Sequence, residues 1–252
     1  MMLTAVGQDN FLGGPLTWAS SYALASTTWY VDGVHGSNGN NCKSPASACK
    51  NIGHAISLAA SGDSITITAA TYTEHLTISV SLTLNGSGPG TTIIDGGSTN
   101  TVVNIPNSAA HVSLANVTIR NGRAQFGGGV YNSGTLTITN SIISGNQASC
   151  AMPYQSSADG GGILNEGRLT IYNSTVSGNG ACCSHQGGAA ATGGGIFNGG
   201  TLTMTSSTIN GNVTVANALP PCLRFMCFMC NPISLGGGVA NNGTLTITKS
   251  TL

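Results

Sequence analysis

"GGGVYNSGTLTITNSIISGN", residues 127–146, consists of glycine, small polar residues and aliphatic residues, and it contains no charged residue. Close copies of this stretch start at Gly160, Gly193 and Gly236, so that the starts are 33, 33 and 43 residues apart. Self-similarity at a nearly fixed period is typical of a solenoid, in which one coil cannot bury its own apolar face and needs its neighbours. The repeat therefore predicts one elongated domain rather than two globular ones.

Within each repeat the residues alternate between apolar and polar, which is the period of a β-strand. In residues 135–139, TLTIT, the leucine and the isoleucine fall on one face and the threonines on the other. The segments between strands are too short for helices, so each strand is expected to pair with its equivalent in the next coil, in a parallel β-helix of about six coils. Alignment of the repeats predicts four core columns: Val130, Ile163, Ile196 and Val239; Leu136, Leu169, Leu202 and Leu245; Ile138, Ile171, Met204 and Ile247; Ile143, Val176 and Ile209.

Asparagines recur at two turn positions of the repeat. Asparagine tolerates left-handed backbone angles, and stacked side-chain amides can hydrogen-bond along a column. The glycine triplets neither open a helix nor precede the Lys-Ser/Thr pair of a phosphate-binding loop, so they too are predicted to be turn residues. The two asparagine sets are Asn132, Asn165, Asn198 and Asn241, and Asn146, Asn179 and Asn212.

The segment NIGHAISLAASGD, residues 51–63, has the period of an amphipathic helix. Asn51 stands at the predicted N-cap and Gly62 just past the predicted end, and such a helix would cover the open end of the first coil. Its predicted apolar face is Ile52, Ala55, Ile56 and Ala59. The sequence predicts a leader or signal-peptide-like segment at 1–26 and a β-helix at 27–252. Within the β-helix we expect a cap at 29–62, loosely registered coils at 63–126 and GGG repeats at 127–252, of which the last coil is truncated.

The chain is neutral and poor in charge. It has seven Lys and Arg residues and seven Asp and Glu residues, 6% of the chain, whereas soluble domains usually have about 25%. Binding to nucleic acid requires a basic patch on the protein, and anchoring to a membrane by charge requires a polybasic segment. A neutral chain with so few charges argues against both. No apolar run reaches the length of about 18 residues that a membrane helix requires. The sequence therefore predicts no nucleic-acid partner, no membrane span and a monomer.

Two regions resemble known families. Residues 29–78, WYVDGVHGSNGNNCKSPASACKNIGHAISLAASGDSITITAATYTEHLTI, resemble the N-terminal cap and first coil of bacterial right-handed β-helix proteins of the pectin-lyase-like superfold. The GGG[IV]xN…LTI…SGN repeats resemble the polymorphic outer membrane protein repeat of bacterial cell surfaces. The resemblance implies an all-β, single-stranded, right-handed parallel β-helix with a short capping helix. It leaves activity open, because this superfold carries both enzymes and adhesins.

A search for catalytic groups in the repeats finds no column with two acids. A glycosidase needs two carboxylates about 5–9.5 Å apart, and a pectate-type lyase needs an acidic calcium site beside a basic residue. Asp159 and Glu166 occupy different columns, and Glu166 is expected to form a solvated surface pair with Arg168. The histidines show no metal-binding spacing. The sequence thus favours a protein without catalytic activity, cofactor or metal, while an acidic pair among Asp63, Glu74 and Asp95 stays open.

The eight cysteines fall into two groups. An even number in an exported protein favours disulfides, with free thiols and a metal site as alternatives. Cys42 and Cys49 flank a short loop of the cap, and the other six lie in three inserts between the repeat cores, at 147–159, 180–192 and 213–235. The inserts leave the same corner of successive coils, so their cysteines are expected to be neighbours in space. The six are Cys150, Cys182, Cys183, Cys222, Cys227 and Cys230.

Function is expected on the outer faces and in the inserts, because glycine, asparagine and the aliphatic residues build the coil. The sequence predicts a non-catalytic, secreted or cell-surface bacterial β-helix, an adhesin-like module that binds a glycan or a protein. Tyr154, Phe225 and Phe228 in the inserts are the candidate ligand-binding residues. The alternative is a polysaccharide-active lyase or hydrolase, and a more remote one is an ice-binding protein that uses the outward array of Thr137, Thr170, Thr203 and Thr246.

Overall fold

The computed structural model describes residues 26–150, 157–185, 190–218 and 233–252. In these ranges every strand pair is parallel, and the chain passes from sheet A to sheet B to sheet C and back to sheet A in each coil. This is the predicted parallel β-helix. Sheet A consists of Thr28–Val31, Asp63–Ile67, Leu82–Asn85, His111–Ala115, Thr135–Thr139, Arg168–Tyr172, Thr201–Thr205 and Thr244–Thr248. Sheet B consists of Ala70–Thr73, Thr92–Asp95, Thr118–Arg120, Ile142–Ser144, Thr175–Ser177 and Thr208–Asn210. Sheet C consists of Leu76–Thr77, Val103–Ile105, Val130–Asn132, Ile163–Asn165, Ile196–Asn198 and Val239–Asn241.

The four predicted core columns are confirmed by the strand register. Leu136 pairs with Leu169 and Leu169 with Leu202 in sheet A, and the equivalent residues of sheets B and C pair in the same way. These side chains fill one continuous apolar core from the cap to the last coil. Both asparagine ladders are also confirmed: the amide of Asn132 donates to Asn165 Oδ1 at 2.7 Å, and that of Asn146 to Asn179 Oδ1 at 3.0 Å.

The capping helix is shorter than predicted and is capped by a different residue. It spans Ile52–Leu58, and a 3-10 turn at Pro45–Ser47 precedes it. Asn51 stands at the N-cap position but makes no side-chain cap hydrogen bond. The carboxylate of Glu74 instead accepts hydrogen bonds from the backbone N–H groups of Ile52 and Gly53, at 2.9 and 2.8 Å. A carboxylate from the first coil therefore satisfies the free N–H groups of the helix and fixes the cap to the coil.

The inserts contain paired strands, which were not predicted from the sequence. Two further parallel sheets, D and E, stack from coil to coil and form a projection that we call the arm. Its small apolar core is separate from that of the coils and consists of Ala148, Ala158, Ala181, Cys183 and Ala191. Sheet D consists of Arg123–Ala124, Gln147–Ser149, Gly180–His185 and Val213–Ala218, and sheet E of Ser157–Asp159, Ala190–Thr192 and Ile233–Leu235.

Candidate functional site

One outward column of sheet C carries large side chains. Tyr131, Leu164 and Phe197 are successive partners in the register, and Asn104 and Thr77 continue the column toward the cap. The other outward faces of the coil carry mainly threonine and serine, as in sheet A. Tyr131 and Phe197 therefore give sheet C two aromatic side chains in one column, whereas the exposed Tyr172 of sheet A pairs with threonines on both sides.

A second outward column belongs to sheet E of the arm. Phe126 bridges to Asp159, and Asp159 pairs with Thr192. From each of these residues the chain passes through three glycines into sheet C. Gly160 has a φ of +67°, and a Cβ atom on Gly161 would collide with the carbonyl oxygens of Gly180 and Gly194. Only glycine allows this tight turn from the arm into the coil. Because the turn is tight, it brings the two columns together at one corner.

The two columns enclose a cleft of about 430 Å³ at their cap-proximal end. Its walls come from both sides of the corner and from the turn around Thr101, and they include His75, Leu76, Thr77, Asn100, Thr101, Asn104, Pro106, Gln125, Phe126 and Tyr131. We call the surface formed by the column from Asn104 to Phe197 and the column from Phe126 to Thr192 the corner groove. Leu164, in its middle, is only 4% exposed although it belongs to neither apolar core.

Glu166 is held at the edge of the groove by a tyrosine from the preceding coil. The Tyr131 hydroxyl donates to Glu166 Oε2 at 2.5 Å, and the Ser133 hydroxyl donates to the same oxygen at 3.4 Å. The hydrogen bond to Glu166 raises the pKa of Tyr131 above its ordinary value, so the phenol stays protonated and keeps donating. No described residue forms a hydrogen bond with Oε1 of this exposed carboxylate.

Asp159 is the second carboxylate of the groove. Its side chain accepts a hydrogen bond from the Thr192 hydroxyl of the next coil. Its backbone is fixed on both sides, because its N–H donates to Gln125 O at 3.3 Å and its carbonyl accepts from Gly127 N at 3.0 Å. Asp159 is thus positioned by the coils before and after it.

His75 holds the wall of the cleft at the turn before sheet C. Its Nδ1 lies 3.0 Å from Thr101 O, and its Nε2 lies 2.9 Å from Thr99 Oγ1. Because a carbonyl oxygen only accepts, Nδ1 carries a proton. The imidazole therefore ties the 99–101 turn to the start of sheet C.

The structure overturns the predicted Glu166–Arg168 pair. Glu166 is bonded to Tyr131 and Ser133, and the ion pairs among the described residues are Arg120–Asp95 and Asp32–His35. Sequence reasoning missed Tyr131 and Phe197, although a signal was present: the residue between the aliphatic and the asparagine of each repeat is Tyr, Leu, Phe or Ala, whereas its neighbours barely change.

The three acids that the sequence offers as a candidate catalytic pair all have structural partners. Glu74 caps the helix, and Asp63 accepts from Trp29 Nε1 at 2.9 Å. Asp95 accepts from Arg120 Nε at 2.8 Å and Asn121 Nδ2 at 2.9 Å. Burial raises the pKa of Asp95, but the hydrogen bonds from Gly97, Arg120 and Asn121 outweigh burial and hold the pKa below its ordinary value.

The predicted ligand-binding residues Tyr154, Phe225 and Phe228 lie outside the described residues, and so do Cys222, Cys227 and Cys230. Among the five cysteines that the structure describes, Cys42–Cys49 in the cap and Cys150–Cys183 in the arm are disulfides, and Cys182 is a free thiol. Cys42, Cys49 and His54 place their ligand atoms within 4.8 Å of one another, but the bridge occupies both sulfurs. The disulfides support an extracellular location.

Neither a protein-family model nor a curated protein matches this sequence. The polymorphic outer membrane protein resemblance therefore stays a prediction. Among solved structures, the chain is similar to a mutant pectin methylesterase in complex with a hexasaccharide, at 16% identity and a TM-score of 0.43, over 76% of this chain and 67% of that one. It is also similar to the pectin methylesterase PemA of Erwinia chrysanthemi (14%, TM-score 0.37, 76% and 67%) and to the pectin methylesterase of Aspergillus niger (15%, 0.36, 88% and 87%).

These comparisons correct the expected function. The structures quoted are all enzymes, which contradicts the non-catalytic, adhesin-like module and agrees better with the alternative, a polysaccharide-active protein. At such identities and TM-scores, no substrate and no residue role is carried over from these enzymes to this chain. None of the helices in the described ranges is long and apolar enough to cross a membrane.

Proposed function

We propose that the protein is a polysaccharide-active hydrolase that binds its glycan in the corner groove. The observation that carries the proposal is the Tyr131–Glu166 hydrogen bond beside a cleft with aromatic walls. Aromatic rings offer apolar faces on which sugar rings stack, and the amides of Asn104 and Gln125 offer partners for sugar hydroxyls. We infer that the protein acts outside the cell, as a secreted or cell-surface bacterial protein.

Glu166 is the proposed general base or nucleophile. Both hydrogen bonds to its carboxylate end on Oε2, so Oε1 is available to take a proton from water or to attack the substrate. Tyr131 is a positioning residue, because it fixes Glu166 and stays protonated itself. Asp159, in the same groove, is the proposed second carboxylate, since glycoside hydrolysis ordinarily uses two.

The test is hydrolysis of a polysaccharide panel, measured by release of reducing ends and, for esterified substrates, of the ester alcohol. Removal of a general base usually costs about 10²–10⁴-fold in rate, so Glu166→Gln should lower kcat by at least about 100-fold. Tyr131→Phe keeps the ring and removes the hydroxyl, so it should lower kcat by about tenfold and leave KM nearly unchanged. The matched control is Tyr172→Phe, an exposed tyrosine on sheet A, which should keep the wild-type rate.

A Glu166→Gln variant with wild-type kcat on a substrate that the protein hydrolyses would overturn the assignment of Glu166. A wild-type protein that hydrolyses nothing in the panel would overturn the proposed activity as a whole.

A further inference from the structure

The corner groove lacks positive charge among the described residues. Six of the seven Lys and Arg residues lie in the described ranges, and none of the six lines the cleft. Arg120 is paired with Asp95, Arg123 contacts Ser149 Oγ, and Arg168 lies on sheet A. The remaining three are Lys43 and Lys50 in the cap and Lys249 after the last strand of sheet A, and Arg224 lies outside the described ranges.

The charges that the groove does carry are negative. Asp159 lies in its arm column, and Glu166 lies at its edge, beside Tyr131. The described hydrogen-bond partners of both carboxylates are uncharged hydroxyl groups, and no described Lys or Arg forms an ion pair with either carboxylate. Two unneutralised carboxylates repel a polyanion, and the repulsion is strongest at low salt.

The neutral side chains of the groove are those that an uncharged sugar chain requires. Phe126 is 38% exposed at the cleft, and Tyr131 and Phe197 stand two coils apart on sheet C. Two strand spacings amount to about 9.6 Å, which is close to the length of a disaccharide in an extended glycan. A chain lying along the coil axis would thus meet an aromatic ring once per disaccharide.

We infer that the glycan bound in the corner groove is electrically neutral and lies parallel to the coil axis. This inference rests on the proposed function and narrows its substrate class. It excludes de-esterified polyuronates, whose carboxylates would face Asp159 and Glu166 without a compensating cation.

The test uses two probes that share a backbone and differ only in charge: fully methyl-esterified homogalacturonan and the same polymer after de-esterification. Neutral xylan and β-glucan complete the set, with chitosan as the cationic probe. Binding is measured with the wild-type protein by affinity electrophoresis at low and high salt. We expect at least one neutral polymer to bind about tenfold more tightly than de-esterified homogalacturonan at low salt, with the difference shrinking as salt is added.

A positive charge added to the cleft gives a second readout. Thr77→Lys adds a cation to the exposed cleft wall and should increase binding of de-esterified homogalacturonan, whereas Thr170→Lys, an exposed threonine of sheet A, should not. Equal or tighter wild-type binding of the polyanion, or no binding of any neutral polymer, would overturn the inference. Chitosan, which the two carboxylates attract, should bind more tightly at low salt than at high salt.

The outcomes separate this inference from the proposed function. Hydrolysis of de-esterified homogalacturonan alone would overturn the neutral substrate and leave the hydrolase standing. Binding of neutral glycans with no hydrolysis of any polymer would overturn the proposed hydrolase activity and leave the inference of a neutral ligand standing.

Discussion

Asp63 joins the first strand of sheet A to the turn after the capping helix through one buried carboxylate. The residue is 5% exposed and accepts hydrogen bonds from Thr27 N at 2.7 Å, Ala60 N at 2.9 Å and Trp29 Nε1 at 2.9 Å. Burial raises the pKa of Asp63, but these hydrogen bonds outweigh burial and hold the pKa below its ordinary value. The folded state therefore favours the ionised carboxylate more strongly than the unfolded chain does.

The pKa of Asp63 predicts how the stability of the cap depends on pH. Because the folded pKa lies below the unfolded value of about 3.9, the contribution of Asp63 is complete at higher pH and is lost as the pH falls from about 4 through the folded pKa. Asp63→Asn cannot accept all three hydrogen bonds and should lower the free energy of unfolding at pH 7 by about 2 kcal/mol. Urea unfolding followed by circular dichroism from pH 7 to pH 2 measures both effects.

Asp32→Asn serves as the comparison, since Asp32 accepts its hydrogen bonds within one turn, from Val34 and His35, and joins no distant segments. Asp32→Asn should therefore lower the free energy of unfolding less than Asp63→Asn does. A difference between wild type and Asp63→Asn that stayed constant down to pH 2 would contradict the assignment to this carboxylate.

At the scale of the element, a strand of sheet A is held by its inward column. Leu169 is 1% exposed and pairs with Leu136 and Leu202, while the next residue, Thr170, faces solvent. Leu169→Asp would place an unpaired charge among leucines and should lower the free energy of unfolding by at least about 3 kcal/mol, or prevent folding. Thr170→Asp, one position along the same strand, should leave the thermal unfolding temperature within a few degrees of wild type. Equal melting of the two variants would refute coil stacking as the source of stability.

At the scale of the whole molecule, the arm and the coils have separate apolar cores, and each has its own disulfide. The arm core consists of small side chains, so the Cys150–Cys183 bridge should carry much of its stability. Because the bridge links residues 33 apart, replacing both cysteines by alanine should lower the local stability of the arm by about 3–4 kcal/mol. Hydrogen exchange should then accelerate in Gly180–His185 and stay slow in Arg168–Tyr172.

The matched control replaces Cys42 and Cys49, which should accelerate exchange in the cap and leave the arm unchanged. Equal acceleration in arm and coils after loss of Cys150 and Cys183 would show that the two cores unfold together.

The coil can be predicted from the sequence alone. The alternation of apolar and polar residues in TLTIT predicts which face of the strand points inward. Because the repeats are nearly identical, only one register stacks Leu136 on Leu169 and Asn132 on Asn165. These choices depend on neighbouring residues and on the period, both of which can be read along the chain. The capping helix was predictable for the same reason.

The arm, the helix cap and the groove depend instead on contacts between segments that are distant in the chain. Glu74 reaches the helix from 22 residues away, and Tyr131 meets Glu166 across 35 residues. The inserts share small residues but no strong alternation, so their pairing depends on the coils below, which hold them side by side. The direction of the turn at Gly160 and Gly161 then places an arm face beside a coil face. Such a corner depends on contacts between distant segments, and neither local propensity nor the repeat period specifies those contacts.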